Sequence, residues 1–323
     1  MSRNGRRLLL VIGLAIAALA AYSIHSDIET AGHRLTQFAP LAVAAALALA
    51  VGNYVIRFVR WQMYLRLVGV SAETAPLGTS ALVFVGGFAM SVTPGKVGEL
   101  LKSALLRDAA RVPAARTAPI VIAERLTDLV ALVLLGVGGV AAYGVAGPVV
   151  LAAAIVVTLG LFVVSWKPLA HSFIDFAARI RPIGKIAPRL REMYDTLSGL
   201  ITPWPLVWGT GLGIVAWLCE CFGFAIIVAG FPGARVELGL ATLIYAVTTV
   251  AGALSFLPGG LGVTEASMAI LLARSATGVD QPTAIAATIL TRLCTLWFAV
   301  LIGLVALAVL RRRNKPSGEK QQA

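Results

Sequence analysis

The sequence predicts an all-α fold: a polytopic membrane helical bundle in which helix, broken re-entrant hairpin and helix recur as an inverted repeat. Three observations lead there. Hydrophobic residues make up 59% of the 323 positions and charged residues 13%, against about 45–50% and about 25% in soluble domains. Several apolar runs reach or approach the roughly 20 residues that span the hydrocarbon, which selects helices over a barrel. Two stretches, residues 94–99 (PGKVGE) and 258–265 (PGGLGVTE), interrupt apolar sequence. Proline removes a backbone donor and glycine loosens a helix, so each should stop one segment and start another. Broken backbone at membrane depth is tolerated where it is buried in protein or lines a wet cavity.

The elements follow in order. Arg3, Arg6 and Arg7 precede an apolar run over residues 8–24, read as a retained first helix. Cleavage as a signal peptide is the alternative, although the run is long for an h-region of about 7–15 residues. A polar outer loop completes residues 1–38. Residues 39–59 cross inward and end among Arg57, Arg60, Arg66, Trp61 and Tyr64, basic and aromatic anchors of a cytoplasmic boundary. Two arms, 78–93 and 97–106, flank the first break and are followed by Arg107, Arg111 and Arg116. Neither arm spans comfortably alone, so the pair forms a hairpin from the cytoplasmic side.

Residues 118–143 cross outward carrying Glu124, Arg125 and Asp128, and 148–166 return. The polar stretch 167–203 is rich in Lys and Arg and therefore cytoplasmic. Within it Leu190, Met193, Tyr194, Leu197, Leu200 and Ile201 recur at helical spacing. This helix either lies on the membrane or packs beneath the bundle. Residues 204–230 cross outward with Glu220 near the middle, 238–257 and 261–273 flank the second break, and 284–310 lead to Arg311, Arg312 and Arg313. The units are then 1–38, a first repeat 39–143, a linking segment 144–203, a second repeat 204–310 and a basic tail 311–323. The count is about six crossings plus two hairpins from opposite faces, with both termini cytoplasmic; about eight full crossings is the competing topology.

The formal charge of +12 would suggest nucleic acid in a soluble chain. Here basic residues cluster between apolar runs, as cytoplasmic loops require, and no nucleic-acid partner is expected. Cys219, Cys221 and Cys294 have no CxxC spacing and His25, His33 and His171 are scattered, so neither a metal nor another cofactor is expected. Met90 stands where a Walker A motif ending at Gly95-Lys96 needs its first glycine, and Val97 replaces the Ser or Thr. No ATPase, metalloprotease or serine-elbow motif is found, and the chain is not read as an enzyme.

The two breaks share a pattern. Pro94, Gly95 and Gly98 align with Pro258, Gly259 and Gly262, Gly260 adds flexibility, and Glu99 falls close to Glu265. Arg125 follows the first break, and Arg292 the second, at nearly the same interval. These prolines and glycines are the candidate hinges. An ionised side chain at a helix centre costs about 2.5–3.5 kcal/mol on insertion scales, so the intramembrane charges must pair or meet water. Glu124 and Asp128 share a helix face and need a cation such as Arg125, Lys96 or Arg292 nearby. Arginine grips phosphate through two parallel bonds and lysine acts as a point charge. Glu99, Lys102, Lys96, Glu124, Arg125, Asp128, Glu265, Arg292, Arg57 and Arg60 are therefore candidate substrate-binding residues around a central cavity. The alternative is that they are ion pairs joining the two halves, with Arg57 and Arg60 snorkelling to the interface.

Residues 57–65 (RFVRWQMYL), 94–102 (PGKVGELLK), Glu124-Arg125 with Asp128, PGGLGVTE and Arg292 together resemble the lysylphosphatidylglycerol synthase transmembrane region family, also called flippase-like or UPF0104. The likeness runs over nearly the whole chain after the first helix. The best-known members join this region to a soluble aminoacyl-transferase domain and move the aminoacylated lipid between leaflets. These 323 residues leave no room for such a domain, so the resemblance implies translocation without synthesis. Stand-alone relatives are associated with other lipids, including hopanoids and polyprenyl-linked glycans. The expectation is a bacterial inner-membrane flippase for a phospholipid, hopanoid or polyprenyl-linked lipid, with an envelope-lipid biosynthetic enzyme as candidate partner. The rival readings are a lipid-modifying enzyme with Glu99 or Glu124 as general base, and a non-transporting partner of an envelope-lipid enzyme.

Overall fold

The computed structural model describes residues 35–93, 98–144, 146–180 and 184–313. The expected first helix, the hinge residues Pro94 and Gly95, Lys96, and most of the basic tail lie outside the described residues. Among the described residues the fold is helical, and the extended pairing seen is an isolated bridge between Arg235 and Thr277.

Helix α1, Pro40–Leu67, begins with proline in its first turn, where the missing donor costs nothing. Helix α2, Leu77–Gly87, runs into a 3-10 turn at Phe88–Met90, and α3 is Leu101–Ala110. Helix α4, Ala114–Tyr143, stops where Gly144 turns left-handed (φ 68°) and its N–H bonds the Val140 carbonyl. Then come α5 (Gly147–Ser165), α6 (Lys167–Ala178), α7 (Ala187–Leu200) and α8 (Pro203–Ala229). Helix α9, Leu238–Leu254, precedes the second break, and α10, Val263–Ser275, follows it. Helix α11, Gln281–Arg292, passes through a π turn at Leu293–Trp297 into α12, Phe298–Arg313.

Four helical segments are long and apolar enough to cross a membrane: α1, α5, α8 and the continuous Gln281–Arg313. Helix α4, at 30 residues, extends about 45 Å and is also long enough. Its Glu124 and Asp128 are buried inside the protein, which reconciles its charges with an apolar surrounding. Helix α9 spans about 25 Å and residues 77–90 about 21 Å at 1.5 Å per residue, both short of the roughly 30 Å hydrocarbon. Every residue from Leu240 to Thr248 is buried, so α9 is a core element, apolar all round.

The packing is reciprocal. Helix α1 lies along α8; α4 packs on α9, and α12 packs on α2. One apolar cluster centres on α8, α9, α10 and α11, a second on α1, α2 and α7 with parts of α3, α4 and α12, and a small third joins Val150 of α5 to Leu243 and Val247 of α9. Among the described residues, the polar stretch 167–203 of the linking segment forms two helices, α6 and α7. The amphipathic face of α7 meets protein: Leu197, Leu200 and Ile201 are buried, α4 lies against it, and the Tyr194 hydroxyl donates to the Val164 carbonyl (2.8 Å). Of the two sequence readings, packing beneath the bundle is the one observed. The exposed apolar face belongs instead to α6, where Phe173 and Phe176 are uncovered.

Candidate functional site

The charged residues of α4 organise the site. Asp128 receives three arginines: Arg57 at 2.9 Å and Arg60 at 2.8 Å from α1, and Arg125, one turn earlier on α4, at 3.2 Å. The i, i+3 spacing of Arg57 and Arg60 puts both on the α1 face turned to α4. Arg125 also holds Glu99 at 3.0 Å, just ahead of α3. Lys102 of α3 donates to Glu124 at 2.5 Å and lies 4.0 Å from Glu99. Four cations thus face three carboxylates, leaving a formal excess of one positive charge.

This network is buried: Arg60 is 1% exposed, Lys102 2% and Glu124 1%. Aromatic faces complete the cation shells. Arg57 lies over Trp217 (4.7 Å to the ring centre), and Lys102 over Trp61 and Phe84 (5.0 and 5.3 Å). The lysine reaches Glu124 past Gly87, where a Cβ would collide with its aliphatic stem. Three buried polar atoms of the cluster, Arg60 Nε, Arg125 Nε and Glu124 Oε1, have no hydrogen-bond partner among the described residues.

The second break is built differently. Gly259, Gly260 and Gly262 have φ of 61°, 66° and 85°, and Phe256 adopts 54°. Glycine takes that region freely; a phenylalanine there is strained. Pro258–Gly260 form a 3-10 turn, and the Gly262 N–H donates to Glu265 (2.6 Å), starting α10. Arg292 closes the loop with its Nε on Glu265 (2.6 Å) and its Nη2 on the Gly259 carbonyl (2.8 Å). The π turn begins at the next residue, a distortion frequent at functional sites. At the first break, the Gly98 N–H donates to the Thr93 hydroxyl at 2.8 Å.

Ser91 and Glu99, flanking the described ends of the first break, and the second break border one cavity of about 400 Å³. Its wall carries Arg57, Glu99, Arg125, Asp128 and Arg292, together with Gly259 and Gly260. Arg60, Lys102 and Glu124 do not reach this wall; they stand behind it and hold the lining charges. Glu265 likewise acts through Arg292. Of the cations the sequence offers to Glu124 and Asp128, Arg125 bonds Asp128, Lys96 lies outside the described residues, and Arg292 is held by Glu265 of its own repeat. Arg57 and Arg60 do not snorkel; both are buried against Asp128. Nor do the observed ion pairs join the halves: among the described residues no salt bridge links 39–143 to 204–310.

Residues that sequence reasoning left out of the site also line the cavity. Glu220, singled out as a carboxylate in mid-crossing, accepts a 2.5 Å bond from Tyr245, and both face the cavity with Tyr54 and Trp217. The Tyr54 hydroxyl donates to the Thr295 carbonyl in the π turn (3.0 Å). Glu220 carried a signal, being a charge in apolar sequence; Tyr245 and Tyr54 carried none.

Chemically, the arrangement offers arginine donors from three elements to an anion, and apolar walls to an attached chain. Residues 10–303 match the family model for the lysylphosphatidylglycerol synthase TM region. A UPF0104 membrane protein of Methanothermobacter thermautotrophicus is 24% identical over 95% of this chain and 96% of its own length. A second UPF0104 membrane protein, from Methanocaldococcus jannaschii, is 22% identical over 97% of each chain. With the match covering nearly its whole length, this multi-pass membrane protein belongs to the lysylphosphatidylglycerol synthase transmembrane-region family.

Proposed function

We propose that the protein moves a lipid with an anionic head group between the leaflets of a bacterial inner membrane. The head group passes through the central cavity while the tails stay in the bilayer. The observation that carries this reading is the cavity itself: about 400 Å³, with Arg57, Arg125 and Arg292 reaching it from α1, α4 and α11 amid apolar walls. Arginines in a site of low dielectric grip phosphate strongly.

The short α9 and α2 arms support hairpins over full crossings. Reciprocal packing, α4 on α9 and α12 on α2, supports an inverted repeat, and the basic loops support cytoplasmic termini. In that arrangement the hairpins enter from opposite faces and the halves rock about a fixed site. The lack of salt bridges between the halves among the described residues suits such motion, since no buried ion pair has to break.

Purified protein in liposomes carrying labelled phospholipids tests the proposal. Leaflet exchange above that of empty vesicles is expected, falling in Arg125→Gln and Arg292→Gln variants that fold normally. Exchange no faster than in empty vesicles for every anionic lipid tried would sink it. Mass spectrometry of the same lipids, revealing a changed covalent structure, would favour an enzyme instead.

A further inference from the structure

The cavity wall holds one carboxylate that the phosphate grip does not use. Glu99 and Asp128 are held by arginines. Glu220 is different: no cation lies within salt-bridge distance of it among the described residues, and its Oε2 accepts from Tyr245 at 2.5 Å. Its Oε1 has no protein donor among those residues. An acceptor in mid-membrane without a cation is costly to keep, and one facing a binding cavity is suited to a donor on the ligand.

The surroundings fix where that donor would sit. Trp217 lies three residues before Glu220 on α8, roughly 4.5 Å along the axis, and carries the Arg57 guanidinium on its ring. Tyr54, one turn before Arg57 on α1, also faces the cavity. The anion-gripping arginine and the carboxylate without a cation thus border one cavity from the packed helices α1 and α8. A short polar arm extending from a phosphate covers the gap between them.

We infer that Glu220, oriented by Tyr245, is a specificity-determining residue: it selects head groups that carry a hydrogen-bond donor, hydroxyl or ammonium, beyond the phosphate. This rests on the transport reading for its site. A head group lacking the donor leaves the carboxylate desolvated and unpaired, and that penalty generates the discrimination. Tyr245 occupies one oxygen and leaves the other without a protein donor among the described residues, on a side chain that lines the cavity.

The test uses full-length protein in liposomes with two charge-matched lipid pairs: phosphatidylglycerol against phosphatidylmethanol, and phosphatidylethanolamine against phosphatidylcholine. In each pair one member has the donor. The wild-type protein is expected to exchange at least one donor-bearing lipid about ten- to a hundredfold faster than its partner. The pair that responds tells hydroxyl from ammonium. Glu220→Gln, of equal volume but presenting an amide donor to the cavity, should bring that ratio to about one. Equal rates within both pairs, or a ratio unchanged in Glu220→Gln, would overturn the inference. Exchange of no lipid at all removes the transport reading instead. The inference is then decided by thermal stabilisation of the purified protein, with short-chain phosphatidylglycerol and phosphatidylethanolamine each compared with its donor-free partner. Equal stabilisation within both pairs overturns it.

Discussion

Around the first break, seven charged side chains from α1, α3, α4 and the turn before α3 form one continuous cluster. Around the second, a single Arg292–Glu265 pair and a backbone carbonyl do the equivalent work, on a loop with three left-handed glycines. The surroundings of the two breaks thus differ, stiff around the first and loose around the second. In the first half the helices are cross-linked behind the cavity wall, so its arginines are held in place. In the second half the loop depends on one partly exposed ion pair, a contact that rearranges at low cost. On the transport reading, the first half supplies a fixed grip and the second the moving part.

The largest expected effect follows from Asp128. Removing it leaves Arg57, Arg60 and Arg125 without their shared carboxylate, and breaking a buried pair costs about 3–5 kcal/mol. Asp128→Ala should lower the thermal unfolding midpoint in detergent far more than Glu265→Ala does. If the two variants unfold alike, the contrast between the halves fails.

Next comes the Lys102–Glu124 pair. Lys102→Met and Glu124→Leu should each cost about 3 kcal/mol, and the double variant clearly less than their sum, because neither partner is then left as a lone buried charge. Additive losses in a double-mutant cycle would remove the pair from the stiff cluster.

Glu265→Gln should be the mildest. Its carboxylate is 27% exposed, and solvent screening limits the stability loss to about 1 kcal/mol. Its transport rate should nevertheless fall more than that of a variant equally destabilised at α7, because Arg292 loses its orientation. A proportional loss in both would assign Glu265 a purely structural part.

The sequence disclosed the described helices, the second break and the charges, because prolines and charges in apolar sequence are conspicuous for a physical reason: each must be compensated. It did not disclose the pairing. Arg292 could meet a carboxylate of either half by spacing alone, and only the fold brings it to Glu265. The amphipathic face of α7 reads alike whether lipid or protein covers it, so its burial against α4 was not decidable from periodicity. Tyr245 was silent because an aromatic residue in an apolar arm looks like core until its hydroxyl finds Glu220. The division between lining residues and those behind the wall, Arg57 against Arg60, is one helical turn and has no sequence signature.

The most direct measurement of the two-break account is sided labelling. Leu77→Cys and Leu238→Cys, each exposed at the open end of its hairpin, are placed singly in a background where Cys219, Cys221 and Cys294 are replaced. Each protein is then treated with a membrane-impermeant thiol reagent from one side of oriented vesicles. Labelling of Leu77→Cys is expected from the cytoplasmic side and of Leu238→Cys from the opposite side. Labelling of both from the same face would contradict the inverted pair and, with it, alternating access through the cavity.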